Sequence, residues 1–256
     1  MIARLRHLFL EERDTTLLGL LRVAMGVLLL ANGGRLVLEL QQGGYFGDNF
    51  HVPMLSEAWV PSRLVYIALL SLKIAAAVAV IVGIFPRGAL LLAALLGLYL
   101  LSCDRLGYHN NRYATHLLAL LLAFTPCDRS FSLPRRLLRR PRPAPLGPYW
   151  AVRLLQLQIS LMYLVSGGGK LLDPDWRGGR VMLVRFERGL EQALAHGQYV
   201  PNLVIELWRS PQFANIVSKF GITTEFFLAI GLWLPRTRAL ALWVGLIFHL
   251  GIQLSA

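Results

Sequence analysis

Cysteine is nearly absent: Cys103 and Cys127 are the two in 256 residues. They stand at the far ends of two consecutive apolar blocks, and so near opposite ends of a helical pair. A disulfide needs Cα atoms within about 7 Å, so no bond between them is expected. Neither belongs to a Cys-x-x-Cys pair or a zinc spacing. Charge is scarce as well, at 16% Asp, Glu, Lys and Arg, where a soluble domain carries about a quarter. Acid is the scarcer sign, with 14 Asp and Glu against 26 Lys and Arg and a formal charge of +12. A basic excess suits nucleic acid, but its placement here argues against that. Arg135, Arg136, Arg139, Arg140 and Arg142 crowd one Pro-rich loop, and no basic face interleaved with aromatics follows. A cleavable leader is not expected either. The first apolar block holds Arg22 in its interior and runs into Asn32-Gly33-Gly34 without a small-residue cleavage pattern.

What the chain has instead is apolar residue, 55% of the total with a mean hydropathy of +0.54. These residues fall in blocks separated by polar turns, which is the layout of membrane spans. Spans are expected near 16–38, 64–85, 88–103, 107–126, 149–169, 219–234 and 239–254. The predicted fold is all-α, a polytopic transmembrane helical bundle of about seven spans forming one domain over 1–256. Loop charges orient it, because Lys and Arg concentrate on the cytoplasmic side. Arg4, Arg6 and Arg13, then Arg87, the basic loop 128–148, and Arg236 and Arg238 share one side. The N-terminus is therefore expected in the cytoplasm, in a cell membrane (the inner one in a bacterium), with lipids as constant partners. The segment 171–219 falls outside. Its apolar residues recur at helical spacing, predicting amphipathic helices on the outer face.

Polar residues inside the spans carry the candidate chemistry. In the fifth, Arg153, Gln156, Ser160, Tyr163, Gly167 and Lys170 recur every three or four residues, on one face of one helix. The fourth repeats the pattern with His109, Arg112, Tyr113 and His116, preceded on its first turn by Asn110 and Asn111. The seventh carries His249 and Gln253, the sixth opens on Thr223, Thr224 and Glu225, and Arg22 and Lys73 add cations to the first two. An ionisable group facing lipid costs several kcal/mol, so these faces must meet a bundle interior or a wet cavity. Two uses stay open: interhelical hydrogen bonds that hold the bundle together, or a binding or catalytic cavity. Lys170 lies near the outer end of its span, where it could snorkel or, in a dry cavity, become a usable base. No pair at metal-ligand spacing occurs, and no metal is expected.

The run Tyr163-Leu-Val-Ser-Gly-Gly-Gly-Lys170-Leu-Leu-Asp173-Pro-Asp175-Trp176, followed by Gly178 or Gly179, resembles the Tyr…Gly-x-Lys-Lys-Leu-Asp-x-Asp-Trp-x-x-Gly stretch of vitamin K-dependent gamma-carboxylase. Phe248-His249-x-x-x-Gln253-Leu254 resembles its Phe-His-x-x-x-Ser-Gln-Leu region, shifted by one residue, and Asn110-Asn111 its Asn-Asn-His turn. With Leu21-Arg22-Val in the first span, the whole looks like an HTTM (horizontally transferred transmembrane domain) protein, the membrane-domain family shared by the carboxylase. The resemblance implies a cavity for a reduced quinone. A lysine there deprotonates the hydroquinone, and oxygen chemistry generates a base able to form a carbanion at a glutamate. Departures are specific. Leu171 stands where the family has its second lysine, the favoured base, and Arg112 replaces the histidine of the Asn-Asn-His turn. The propeptide-binding lumenal region is missing, and the chain ends at or just past the seventh span, as a short or truncated member would. Carboxylation of glutamate is not expected.

Two readings follow. In the first, a membrane oxidoreductase or carboxylase-like enzyme takes a lipophilic quinol. Lys170, His249, His109 and His116 serve as acid–base groups, and Arg153, Gln156, Ser160, Tyr163, Arg112, Tyr113, Asn110, Asn111, Glu225, Gln253 and Trp176 line the cavity. In the second, the chain is a non-enzymatic accessory factor for maturation of a secreted peptide or a partner membrane protein, met by the outer helices. A transporter is a third, lesser reading.

Overall fold

The computed structural model describes residues 11–43, 46–47, 52–139, 141, 144 and 146–254, with no account of the side chains of 253 and 254. Arg4, Arg6, Arg140 and Arg142 of the charge pattern, and the side chain of Gln253, lie outside the described residues. The fold is all-α. Among the described residues the extended backbone is one short pair, β1 (Glu12–Asp14) antiparallel to β2 (Leu146–Pro148). The chain forms two compact units that divide after Leu155.

The first unit is built on four helices: α1 (Thr16–Gln41), α2 (Arg63–Val82), α3 (Pro86–Ser102) and α4 (Asn110–Ala123). Each packs on the next, and α1 also meets α4, closing a bundle. Its core mixes leucine with alanine: Leu29, Ala77, Val80, Leu90, Ala93, Ala94, Ala119 and Leu122 are wholly buried. Small residues let helix backbones approach, which is how bundles pack where lipid removes the hydrophobic drive between helices. Gly83 ends α2 at φ 84°, and Pro86 starts α3 in its first turn, so two residue types that stop and restart helices make a tight hairpin. The short helix α5 (Leu133–Leu137) lies in the basic loop.

Helix α6 (Trp150–Leu172) runs from the first unit into the second. Then come α7 (Pro174–Arg177), α8 (Arg180–Ala195), α9 (Asn202–Trp208), α10 (Pro211–Gly231) and α11 (Arg238–Leu254). Helix α8 is the amphipathic one. It packs on α7, α9 and α10, with Phe186 stacked on Trp208 and Phe213 at centroid distances of 5.5 and 5.8 Å.

Helices occupy all seven expected positions, with one boundary corrected. The sixth predicted span does not begin at 219, because its helix starts earlier, inside the segment 171–219 assigned to the outer face. The chain breaks at Ser210, whose Oγ accepts from the Phe213 amide at 3.3 Å, and α10 starts at Pro211. A Ser cap followed by Pro is a strong local start. Thr223, Thr224 and Glu225 therefore sit mid-helix rather than at a span's mouth. His109 likewise lies just outside α4, with extended backbone at the N-cap.

Three helices, α1, α2 and α10, are long and apolar enough to cross a membrane, and α3 and α11 are shorter apolar helices. Their outer sides carry rows of exposed leucine, valine and isoleucine, among them Leu17, Leu28, Leu64, Ile67, Ile216, Ile230, Leu242 and Ile247. A soluble protein does not leave that much contiguous apolar surface in water. Helices satisfy their own backbone hydrogen bonds, which lipid demands.

Candidate functional site

Along α6 the polar stripe is the covered face. Ser160 and Gly167 are buried, and Gln156, Tyr163 and Lys170 are half-buried, while Leu157, Leu161, Leu164 and Val165 between them are exposed. In the second unit this face meets side chains from α10 and α11. Lys170 Nζ lies 2.5 Å from Glu225 Oε1, and the Ser166 hydroxyl donates to the same oxygen at 3.0 Å. The ammonium also stands 4.9 Å from the centre of the Trp176 ring, a cation–π distance. Lys170 is neither a snorkelling cation nor a lone amine; it is half of an ion pair. Glu225 is 4% exposed. Its other oxygen, Oε2, is buried with no hydrogen-bond partner among the described residues.

Roughly two turns back along the same face, Tyr163 Oη is 2.8 Å from His249 Nε2 of α11. One turn further, Trp233 Nε1 donates to Ser160 Oγ at 2.7 Å. Two proton-bearing pairs and a planar indole thus share one helix face. Gly167 makes room for them, since a side chain there would press on Glu225 and Phe226 at 3.3 Å. Leu171 is exposed beside Leu172. The position that holds the second lysine in the carboxylase is therefore on the apolar side of α6.

The fourth-span residues gather elsewhere, inside the first unit. Asn32, Arg35, Glu39, His109, Arg112 and His116 border a cavity of about 420 Å³ at one end of the bundle. Arg112 pairs with Glu39 at 2.6 Å, and Arg35 with the same carboxylate oxygen at 3.1 Å. Lys73 is fully buried and donates to Asn32 Oδ1. Asn110, Asn111 and Tyr113 are exposed on the first turn of α4, with Tyr113 packed on Tyr108. Arg153 lies over the Tyr149 ring at 5.0 Å. The predicted residues that the structure brings together form two groups, one in each unit, while Asn110, Asn111, Tyr113 and Arg153 join neither. Among the described residues, no three His, Cys, Asp or Glu side chains come together as metal ligands would.

With this geometry in hand, the comparison with known families is decisive: the HTTM domain model matches residues 10–254. The chain belongs to the HTTM family. No solved structure matches it. HTTM membership and the apolar helices together make this a membrane protein, and the match spans both units.

Sequence reasoning did not reach several residues that matter to these HTTM sites. Ser166 and Trp233 carry no signal on their own. Glu39 did carry one, as an acid just past the first predicted span and four residues after Arg35, the spacing of a helical ion pair. Gly97 had none. Its backbone runs under the His116 ring, and a Cβ there would fall 1.9 Å from Nε2. The ring could not stay, so Gly97→Ala should cost about 2 kcal/mol through overpacking. The check is thermal unfolding in detergent, where a variant as stable as the parent would show that the ring has room to move.

Proposed function

We propose that this chain is a multi-pass membrane enzyme, N-terminus in the cytoplasm of a cell membrane, whose second unit takes a lipophilic quinol. The observation that carries the reading is the unpartnered, buried Oε2 of Glu225 beside the Lys170 ammonium. A buried carboxylate oxygen without a donor leaves a hydrogen bond unmade, at about 1–3 kcal/mol, and a hydroxyl of the quinol is the donor that fits. The residues present suit such a group. Trp176 offers a flat face, and Tyr163–His249 forms a second proton-exchanging pair.

Bound there, a quinol supplies two electrons and two ionisable hydroxyls. The chain's own part is proton handling. Glu225 accepts at Oε2, Lys170 holds that carboxylate in place from the other oxygen, and His249 Nε2 exchanges a proton with Tyr163. In the carboxylase a lysine is the base. With Leu171 facing the apolar side, the acceptor assigned here is Glu225 and the positioning residue is Lys170. Glutamate carboxylation is not part of the proposal.

The test is titration of the purified protein in nanodiscs with a short-chain quinol, read by absorbance. Saturable binding is expected, weakened about five- to tenfold in Tyr163→Phe, which removes one hydroxyl from the network. Absence of saturable binding would sink the reading.

One observation favours the accessory-factor reading. Helix α8 presents Arg180, Arg185 and Arg188 around an open groove of about 490 Å³, a surface that suits an acidic segment of a secreted peptide or partner protein. In that case charge reversal at Arg180 and Arg188 abolishes function while Lys170→Ala and His249→Ala leave it intact.

A further inference from the structure

Two phenylalanines of the first unit stand in backbone that phenylalanine avoids. Phe85 has φ 42° and Phe131 φ 58°, in the left-handed region where a Cβ is penalised and a bulky side chain is rare. Burial does not compensate either one, since Phe85 is 81% exposed and Phe131 57%. The two strained turns are one structure. Ser132 Oγ, beside Phe131, donates to the Gly83 oxygen at 3.1 Å. Arg22 of α1, wholly buried, donates from Nη2 to the Phe131 oxygen at 2.8 Å. Arg87 Nε donates to the Ala123 oxygen at 3.0 Å, tying the start of α3 to the end of α4. The rings therefore stand at one end of the bundle, with Ile84, Phe124, Leu133, Leu137 and Leu138 exposed on the same turns.

This patch runs into the lipid-facing side of α1. Gly19 lies under the loop, where a Cβ would fall 2.8 Å from Ser130 Cβ and 3.0 Å from the Phe131 ring, and its neighbours Leu17 and Leu20 are exposed. Cations rim it. Between 124 and 139 stand four arginines and one acid, Asp128. Arg135 lies 3.9 Å from that carboxylate. Arg136 and Arg139 are exposed and form no ion pair among the described residues. Within α5, Leu133 and Leu137 fall one turn apart on one side, with Arg135 and Arg136 on the other.

From the uncovered rings, their continuity with α1 and the arginine rim we propose that this end of the first unit is an anchor for anionic phospholipid. Phe85, Phe131 and Leu137 enter the boundary between headgroups and acyl chains, where aromatic and leucine side chains of interfacial segments lie. Arg136 and Arg139 meet the phosphates of headgroups with a net negative charge, which draw basic residues to a membrane surface. A soluble acidic partner would satisfy the arginines but would leave rings bordering the lipid-facing side of α1 without a use. The strain at Phe85 and Phe131 fits the same role, because it keeps both rings out of the bundle core.

The test uses the full-length protein in nanodiscs of phosphatidylcholine and phosphatidylglycerol in equal parts. Leu137→Trp, and Phe131→Trp as a second reporter, each add one tryptophan to the six native ones, and the signal is the difference from the parent. The added emission is expected to be quenched by lipid brominated near the glycerol end of its chains and shielded from aqueous acrylamide. Headgroup preference is read by electron paramagnetic resonance, as the motionally restricted fraction of spin-labelled phosphatidylglycerol against that of spin-labelled phosphatidylcholine. The parent should favour phosphatidylglycerol at least about twofold. Arg136→Gln with Arg139→Gln should remove about half or more of that excess. Arg177→Gln with Arg209→Gln, exposed arginines of the second unit, should leave it in place. Acrylamide reaching either reporter in folded protein as freely as it reaches tryptophan in solution overturns the proposal. So does a parent without headgroup preference, or an equal loss in the two double variants, which would trace the effect to net charge alone. None of these readouts involves a quinol, so failure here leaves the Lys170 site untouched.

Discussion

Glu225→Leu will destabilise the second unit by about 3 kcal/mol, and adding Lys170→Met will recover most of that loss. Removing one member of a buried ion pair strands the other charge, which costs about 3–5 kcal/mol when both are dry. The lower end applies here because the Lys170 side chain keeps 22% exposure and can turn partly toward water. Replacing both partners with apolar residues of similar volume removes the stranded charge and is often near neutral. Glu225→Gln is the milder companion. It keeps the acceptor facing Lys170 and Ser166, so a loss of about 1–2 kcal/mol is expected. A double-mutant cycle on unfolding in mild detergent measures the coupling. If Glu225→Leu alone matches the parent, the pair does not hold the unit together. Under the proposed function, every variant lacking the carboxylate also loses quinol binding, whether or not Lys170→Met has restored stability. That separates the structural role of the pair from its chemical one.

Gly179→Ala will cost about 3 kcal/mol, while Gly178→Ala, its neighbour, will cost less than about 1 kcal/mol. Gly179 has φ 82° and forms the N-cap of α8. Left-handed backbone penalises a Cβ by about 1–2 kcal/mol. The added carbon would also fall 2.5 Å from Asn215 Cα on α10. Backbone cannot yield as the tip of a side chain can, so overpacking adds about 1–3 kcal/mol. Gly178 has φ −78°, and the nearest atom to a Cβ there is Pro174 O at 3.2 Å. Thermal unfolding of the two variants side by side decides the matter; equal losses would mean that α8 and α10 are not held at this contact.

The glycine pair illustrates how far the sequence reaches. The motif around Asp173, Asp175 and Trp176 calls for a glycine near this position, but cannot say which of two adjacent ones is needed. The backbone torsion and the approach of α10 decide that. The polar stripe of α6 was legible because its period is local, and it is the covered face. Its partners were not legible. Lys170 and Glu225 are far apart in the chain, and Glu225 was placed at the mouth of a span because the polar run before it hid the Ser210-Pro211 start of α10. That start was readable from capping chemistry, and was masked by the amphipathic pattern around it. The grouping of His109 and His116 with the Lys170 face reflected shared polarity; the structure assigns the fourth-span residues to a cavity in a separate unit.

By itself, then, the sequence determined the membrane class, the all-α architecture, the positions of the helices and the HTTM family. Each rests on block length, turn chemistry or residue spacing, which act over a few neighbours. The tertiary structure decided which buried groups meet. It set Lys170 on Glu225, Tyr163 on His249, the His116 ring over Gly97, and Leu171 on the apolar side of α6. Those outcomes depend on helix rotation and on approaches between backbones distant in the chain, and no local pattern encodes either.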